Sequence, residues 1–176
     1  MGFEVKIRLE DIPPEGLELC LRDAGVRPQE LGPQVGRIVA PPRADLHLRR
    51  EGAAVRIGGR FQARLELVCS RCLAGVEMEL EGVVDMTFLP PLADAPEEIQ
   101  LQPEDLAVGF YQQGEIDLAL VVRQEVSLAL PMAPVCRPEC PGLCPRCGRL
   151  RDEGGCSCSE RVVDPRWAKL AELQLP

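Results

Sequence analysis

Between residues 55 and 67 the odd positions are apolar or glycine (Val55, Ile57, Gly59, Phe61, Ala63, Leu65, Leu67), and Arg56, Arg60, Gln62, Arg64 and Glu66 stand between them. Alternation with a period of two predicts a half-buried strand. Residues 76–88 repeat the pattern with apolar side chains at the even positions, Gly82 apart, and with Glu77, Glu79, Glu81 and Asp85 among the odd ones. A hairpin with Cys69-Ser70-Arg71-Cys72 at its tip sets Arg64 opposite Glu77, Arg60 opposite Glu81 and Arg56 opposite Asp85. On the buried side the same register sets Leu65 against Val76, Ala63 against Met78, Phe61 against Leu80 and Ile57 against Val84. Leu46 and Leu48 lead into a Glu51-Gly52 turn and then face Ile57 and Val55, which extends the meander to about residues 43–89. Residues 3–10 and 17–21 alternate as well and predict further strands.

Pro90-Pro91 ends the meander, and the acidic run 93–105 reads as a solvated connection. Asp117 is an N-cap for Leu118, Val121, Val122 and Glu125 at helical spacing, which predicts a helix that stops before Pro131 and lays its apolar face on the sheet. Residues 127–130 suit helix and strand equally. Asp164-Pro165 opens a closing helix whose face carries Trp167, Leu170, Ala171 and Leu173, with the tryptophan packed. The fold class is therefore α+β. Residues 1–134 form an antiparallel, meander-rich body with one or two short helices, and residues 135–176 form a Cys-rich, zinc-ribbon-like module packed on it.

Composition narrows what such a fold can do. The chain has 176 residues, 45% of them hydrophobic, and only six aromatics, so the core is aliphatic. A net charge of −8 disfavours indiscriminate adhesion to nucleic acid or to anionic membrane. Residues 37–71 hold eight arginines against three acids, and residues 72–117 hold eleven acids with no lysine or arginine. The expected register pairs these rows, so the arginines read as cross-strand partners rather than as an RNA-binding patch. No run of eighteen apolar residues predicts a membrane span, and the opening residues show no charged leader followed by an apolar stretch, which sets the expectation of a cytoplasmic protein.

Eight of the nine cysteines form four close pairs: Cys69/Cys72, Cys136/Cys140, Cys144/Cys147 and Cys156/Cys158. Two closely spaced thiolates present both sulfurs to one ion, and two such pairs complete the tetrahedral shell of Zn²⁺ at ~2.3 Å per bond. Two structural zinc sites are expected. Gly148 follows Cys147, where a positive φ aims backbone N–H groups at the sulfurs. Cys144, Cys147, Cys156 and Cys158 lie near enough to close one site locally, leaving Cys136 and Cys140 to reach Cys69 and Cys72; two other ways of joining the pairs stay open. A disulfide framework needs an oxidising compartment, a thioredoxin-like activity needs one pair rather than four, and an iron–sulfur cluster is the remaining use of four thiolates. Cys20 stands alone in an apolar stretch and reads as a small buried hydrophobe.

An enzyme is not expected. The sole histidine, His47, falls on the polar face of the meander, and no Ser/His/Asp set, phosphate loop or dinucleotide fingerprint is present. A catalytic zinc keeps an open position and draws on histidine or carboxylate, unlike four thiolates. The cations around the cysteines, Arg137, Arg146, Arg149, Arg151, Arg161, Arg166 and Lys169, are the candidates for RNA phosphate. Six acids accompany them, so a solvated zinc module is an even alternative.

The runs Cys69-Ser70-Arg71-Cys72-Leu73, Gly114-Glu115-Ile116-Asp117-Leu118, Leu128-Ala129-Leu130-Pro131-Met132-Ala133-Pro134-Val135-Cys136, Cys140-Pro141-Gly142-Leu143-Cys144-Pro145-Arg146-Cys147-Gly148, Cys156-Ser157-Cys158 and Asp164-Pro165-Arg166 resemble the YceD family of large ribosomal RNA subunit accumulation proteins. Order and spacing agree along most of the chain. One departure is Leu150-Arg151-Asp152, where relatives read Asn-Leu-Asn. The resemblance implies a bacterial, cytoplasmic, non-catalytic factor for accumulation of large-subunit (23S) ribosomal RNA. Its partners would be that RNA or ribosome assembly proteins, with neither a membrane nor a small-molecule substrate. The alternative function is a zinc-stapled adaptor that docks a protein rather than RNA.

Overall fold

The computed structural model describes residues 5–91, 100, 102, 106–151, 156, 158, 166 and 167. Three long strands dominate it: β3 (Val35–Glu51), β4 (Ala54–Val68) and β5 (Gly75–Leu89). With β2 (Leu17–Leu21) on one side and β6 (Val108–Phe110) on the other they form a five-stranded sheet in the order β2-β3-β4-β5-β6. β1 (Lys6–Arg8) pairs with β7 (Glu115–Asp117) in a separate two-stranded ribbon. Alternation decides which side is buried. The odd residues of β4 from Val55 to Leu67 face inward, Gly59 half-buried among them, and the charged even residues face solvent.

A 12-residue helix, α2 (Leu118–Ala129), covers the buried face with Leu118, Val121, Val122 and Val126. The Asp117 carboxylate caps it, accepting from the Leu120 N–H at 3.1 Å. Residues 127–129 remain helical and Leu130 is the C-cap, so Pro131 lies just outside. The core is aliphatic apart from Phe61. No helix among the described residues is long and apolar enough to cross a membrane.

The expected α+β class holds, and four details differ. First, β4 and β5 are paired two residues away from the expected register: Arg64 lies opposite Glu79, Arg60 opposite Val83, Arg56 opposite Thr87 and Leu65 opposite Met78. A slip of two keeps every side chain on its own face, so the hydrophobic pattern is equally satisfied by either register. Arg64 still reaches Glu77 diagonally at 2.9 Å and Arg56 reaches Asp85 at 3.3 Å. Leu48 likewise faces Ile57, and Leu46 faces Gly59. Second, β6 runs parallel to β5. Third, residues 9–11 leave the first strand as a 3-10 turn, and a four-residue helix, α1 (Pro28–Leu31), and an early start to β3 were not signalled by alternation. Fourth, Cys20 is exposed on the open face of the sheet rather than buried.

The closing helix lies outside the described residues except Arg166 and Trp167; Trp167 is 60% exposed, which overturns its expected packing. Most of the acidic run 93–105 also lies outside them.

Candidate metal centre

The hairpin tip is built as a knuckle. Cys69 follows the last residue of β4, its N–H donates to the Ala74 carbonyl at 2.8 Å, and its own carbonyl accepts from Leu73 N–H at 3.0 Å. Leu73 adopts φ 63 to close the turn. The same construction recurs downstream: Gly148 N–H donates to the Cys144 carbonyl at 2.8 Å with φ 69. Each Cys-x-x-Cys run is thus wrapped around its first cysteine by a residue in the left-handed region, glycine in one case and leucine in the other.

The tail returns to the first knuckle by several bonds. Ser70 N–H donates to Pro134 carbonyl at 2.8 Å, and Leu143 N–H donates to Arg71 carbonyl at 3.1 Å. The Arg71 guanidinium donates to the carbonyls of Pro138 at 2.9 Å and Cys140 at 3.1 Å. Gly142, at φ 72, passes so close that a Cβ on it would stand 2.9 Å from the Arg71 carbonyl oxygen.

These contacts gather Cys69, Cys72, Cys136 and Cys140 into one group and Cys144, Cys147, Cys156 and Cys158 into another, with the sulfurs of each group within 4.8 Å of one another. The Cys72–Cys136 sulfurs are 3.7 Å apart and the Cys69–Cys140 sulfurs 4.0 Å. Four thiolates bound tetrahedrally at ~2.3 Å would stand about 3.8 Å apart, so the donor set fits a single ion. An iron–sulfur cluster, with several metal atoms between the thiolates, would hold its sulfurs wider. The first group is the drier: Cys69, Cys72 and Cys140 are buried with Val76 and Val135 packed around them. In the second, Cys144 is buried and Cys147 exposed.

Backbone amides prepare both groups for a cation. N–H donation from Cys72, then from Arg71 and Cys136, holds the Cys69 thiol down to about 6. Amides of Cys147 and Arg146 hold Cys144 down to about 6 in the same way. Across each group the opposite happens: the Cys140 thiol, with burial, pushes Cys136 up, and the Cys147 thiol, with burial, pushes Cys158 up. Close thiols that oppose one another's ionisation beside amide-favoured thiolates are an arrangement that a cation among the four sulfurs would stabilise.

Of the candidate RNA contacts, Arg137, Arg146, Arg149, Arg151 and Arg166 are exposed, and Arg161 and Lys169 lie outside the described residues. Arg149 and Arg151 flank the second knuckle through their backbones, Arg149 accepting from Cys144 N–H and Arg151 donating to Gly142 carbonyl. Arg71 escaped the sequence reading. Its one signal is the arginine shared by both knuckles, Ser70-Arg71 and Pro145-Arg146, but among the described residues only the first turns into backbone carbonyls.

A sheet hairpin and a Cys-rich tail, joined through a shared four-thiol group, define a sheet protein with a thiol-clamped appendage. The chain belongs to the YceD family, described as large ribosomal RNA subunit accumulation protein YceD, which it matches over residues 57–174. It is 35% identical over 159 residues to an uncharacterised protein of Mycobacterium tuberculosis, covering 89% of this chain and 74% of the relative. It is 33% identical over 138 residues to one of Mycobacterium leprae, covering 78% of this chain and 61% of the relative. No solved structure matches the chain.

Proposed function

We propose that the chain is a non-enzymatic factor for accumulation of large-subunit ribosomal RNA, in which two structural Zn²⁺ ions fold residues 135–176 and fasten them to the body, residues 1–134. Family membership supports the ribosomal role. The observation that carries the zinc is the first group, half from the β4–β5 tip and half from the tail, with its sulfurs at tetrahedral spacing. Cys69, Cys72, Cys136 and Cys140 would hold one ion and Cys144, Cys147, Cys156 and Cys158 the other. Four thiolates leave no coordination position open for substrate, so each ion supplies folding energy rather than chemistry. Arg146, Arg149 and Arg151, exposed beside the second group, are then phosphate contacts held on a rigid platform, with Arg137, Arg161, Arg166 and Lys169 as further cations of the tail. Crosslinking in bacterial cells, followed by recovery of RNA and protein together, should yield large-subunit ribosomal RNA or its assembly proteins. Recovery of neither removes the assignment.

A protein-docking adaptor has one observation in its favour. Leu128, in the last turn of α2, and Met132, just beyond its C-cap, are 80% and 100% exposed, two large apolar side chains close together in the chain of the kind a docked protein would cover. Salt separates the readings: contact through arginine weakens steeply with ionic strength, and an apolar interface does not.

A further inference from the structure

The sheet face turned away from α2 divides into an acidic edge and a basic field. Along β5 it carries Glu77, Glu79, Glu81 and Asp85; Arg64 pairs with Glu77 and Glu79, Arg37 with Glu77 and Arg56 with Asp85. Arg60 has the same diagonal relation to Glu81 that Arg64 has to Glu77 and Arg56 to Asp85, yet among the described residues it makes no ion pair with Glu81; it stands opposite Val83 on one side and Asp45 on the other. Arg43 lies opposite Gln62, one diagonal step from Arg60, and Arg22 follows the end of β2. Arg22, Arg43 and Arg60, together with Cys20, Asp45 and Gln62, line one open cavity of about 560 Å³.

Within this cavity three guanidiniums share a single carboxylate, Asp45, with Glu81 just beyond Gln62. Beside them Arg49 faces Arg56 directly across the β3–β4 pair, a like-charge juxtaposition that costs stability in a sheet. None of Arg22, Arg43, Arg49 and Arg60 forms an ion pair among the described residues. The expected mutual neutralisation of the two charge rows thus fails over the β2–β4 half of the face.

We infer that this half of the sheet, centred on Arg22, Arg43 and Arg60, is a second RNA-binding surface that takes phosphodiester groups. Diagonal neighbours on adjacent strands stand about 7 Å apart, a separation comparable with that of successive phosphates along a polynucleotide. Guanidinium forks match phosphate oxygens, and Gln62 adds an amide able to donate to a phosphate or a 2′-hydroxyl. The net charge of −8 does not forbid this, because charges beyond about 8 Å are screened at physiological ionic strength and the contact is decided locally. The acidic β5 edge repels the same strand and so sets which way it crosses the sheet. RNA as the occupant rests on the ribosomal reading above; the site itself rests on the arginines.

The test is binding of a short fluorescein-labelled RNA and of transcribed 23S ribosomal RNA across a salt series. The native chain is compared with Arg43→Gln/Arg60→Gln and with Arg146→Gln/Arg149→Gln, all checked for unchanged metal content. The sheet pair should weaken binding about tenfold and flatten the log-log salt slope by about 1.4, the loss of two single-strand phosphate contacts. Loss confined to the tail pair overturns the sheet surface and leaves the ribosomal role standing, as does a native chain that binds no RNA yet cosediments with large-subunit assembly particles. Equal affinity for a polyglutamate peptide also overturns it, in favour of an acidic protein. Binding through the sheet pair without association with those particles keeps the surface and removes the ribosomal role.

Discussion

The carbonyl oxygen of Arg71 lies 2.9 Å from the place a Cβ on Gly142 would occupy, and it accepts the N–H of the next residue, Leu143, at 3.1 Å. Tail and hairpin tip therefore meet backbone to backbone, with no side chain between them. The Arg71 guanidinium completes the joint by donating to Pro138 and Cys140. Arg71 thus holds residues 138–143 to the hairpin tip, while Ser70 holds Pro134.

Gly142→Ala should accordingly destabilise the joint by about 1–3 kcal/mol, because it combines left-handed strain with a clash against an immovable carbonyl. Arg71→Met, which keeps the length and removes the donors, should cost less, about 1 kcal/mol, since water can serve the freed carbonyls. Both should speed chelator-driven loss of metal from the first group while leaving the far-ultraviolet signal of the sheet intact. The reverse ranking of the two variants would contradict the close approach.

Cys69→Ser removes a buried thiol at the end of β4 and should abolish one metal equivalent while the second is retained. Cys156→Ser should do the converse and leave Cys136 and Cys140 protected from alkylation. Elemental analysis of each purified variant gives the stoichiometry. Simultaneous loss of both ions in either variant would show that the two groups do not fill independently, against the separation of their sulfurs into two sets.

The strand faces and the thiol sets were legible from the chain; the register and the joint were not, for physical reasons visible at particular residues. Alternation from Val55 to Leu67 assigns each side chain a face, yet a slip of two leaves that assignment unchanged, so Arg60 facing Val83 was indistinguishable from Arg60 facing Glu81. The tip was centred wrongly because Leu73, at φ 63, belongs to the turn, and nothing about a leucine announces the left-handed region. Cysteine spacing is informative because few other chemistries need it. The acceptors of Arg71 are backbone carbonyls 67 and 69 positions away in the chain, and carbonyls carry no sequence signature. β6 is three residues long and parallel, too short to show a period.

Acidification should release the metal. The thiols of Cys69 and Cys144 are held down to about 6 by backbone amides, below the ordinary thiol value of about 8.5. A group with a depressed value contributes its full stabilisation above that ordinary value and loses it as pH falls through about 6. Protons would compete with the proposed metal ions for the same sulfurs, so both should be retained under mildly alkaline conditions and released progressively below about pH 6. A chromophoric chelator reports the release. The second group should empty first: each group has one exposed cysteine, Cys136 and Cys147, but three cysteines of the first are buried against one, Cys144, of the second.

Leu73→Gly is the substitution that should strengthen the molecule. Leu73 is 63% exposed, so little apolar contact is lost with its side chain. Its φ of 63 costs an L-residue on the order of 1–2 kcal/mol, which glycine avoids. Glycine gives back part of that gain through the freedom it adds to the unfolded chain, on the order of 0.5–1 kcal/mol. The balance is a stabilisation of about 0.5–1 kcal/mol, read as a rise in Tm of the metal-loaded protein and as slower metal loss from the first group. The downstream knuckle is the internal control, since it already has glycine at the equivalent position, Gly148 at φ 69. Gly148→Leu should therefore move stability the other way and speed metal loss from the second group. If Leu73→Gly instead lowered the Tm, the leucine would be making a contact worth more than its backbone strain, and the two knuckles would not be equivalent turns.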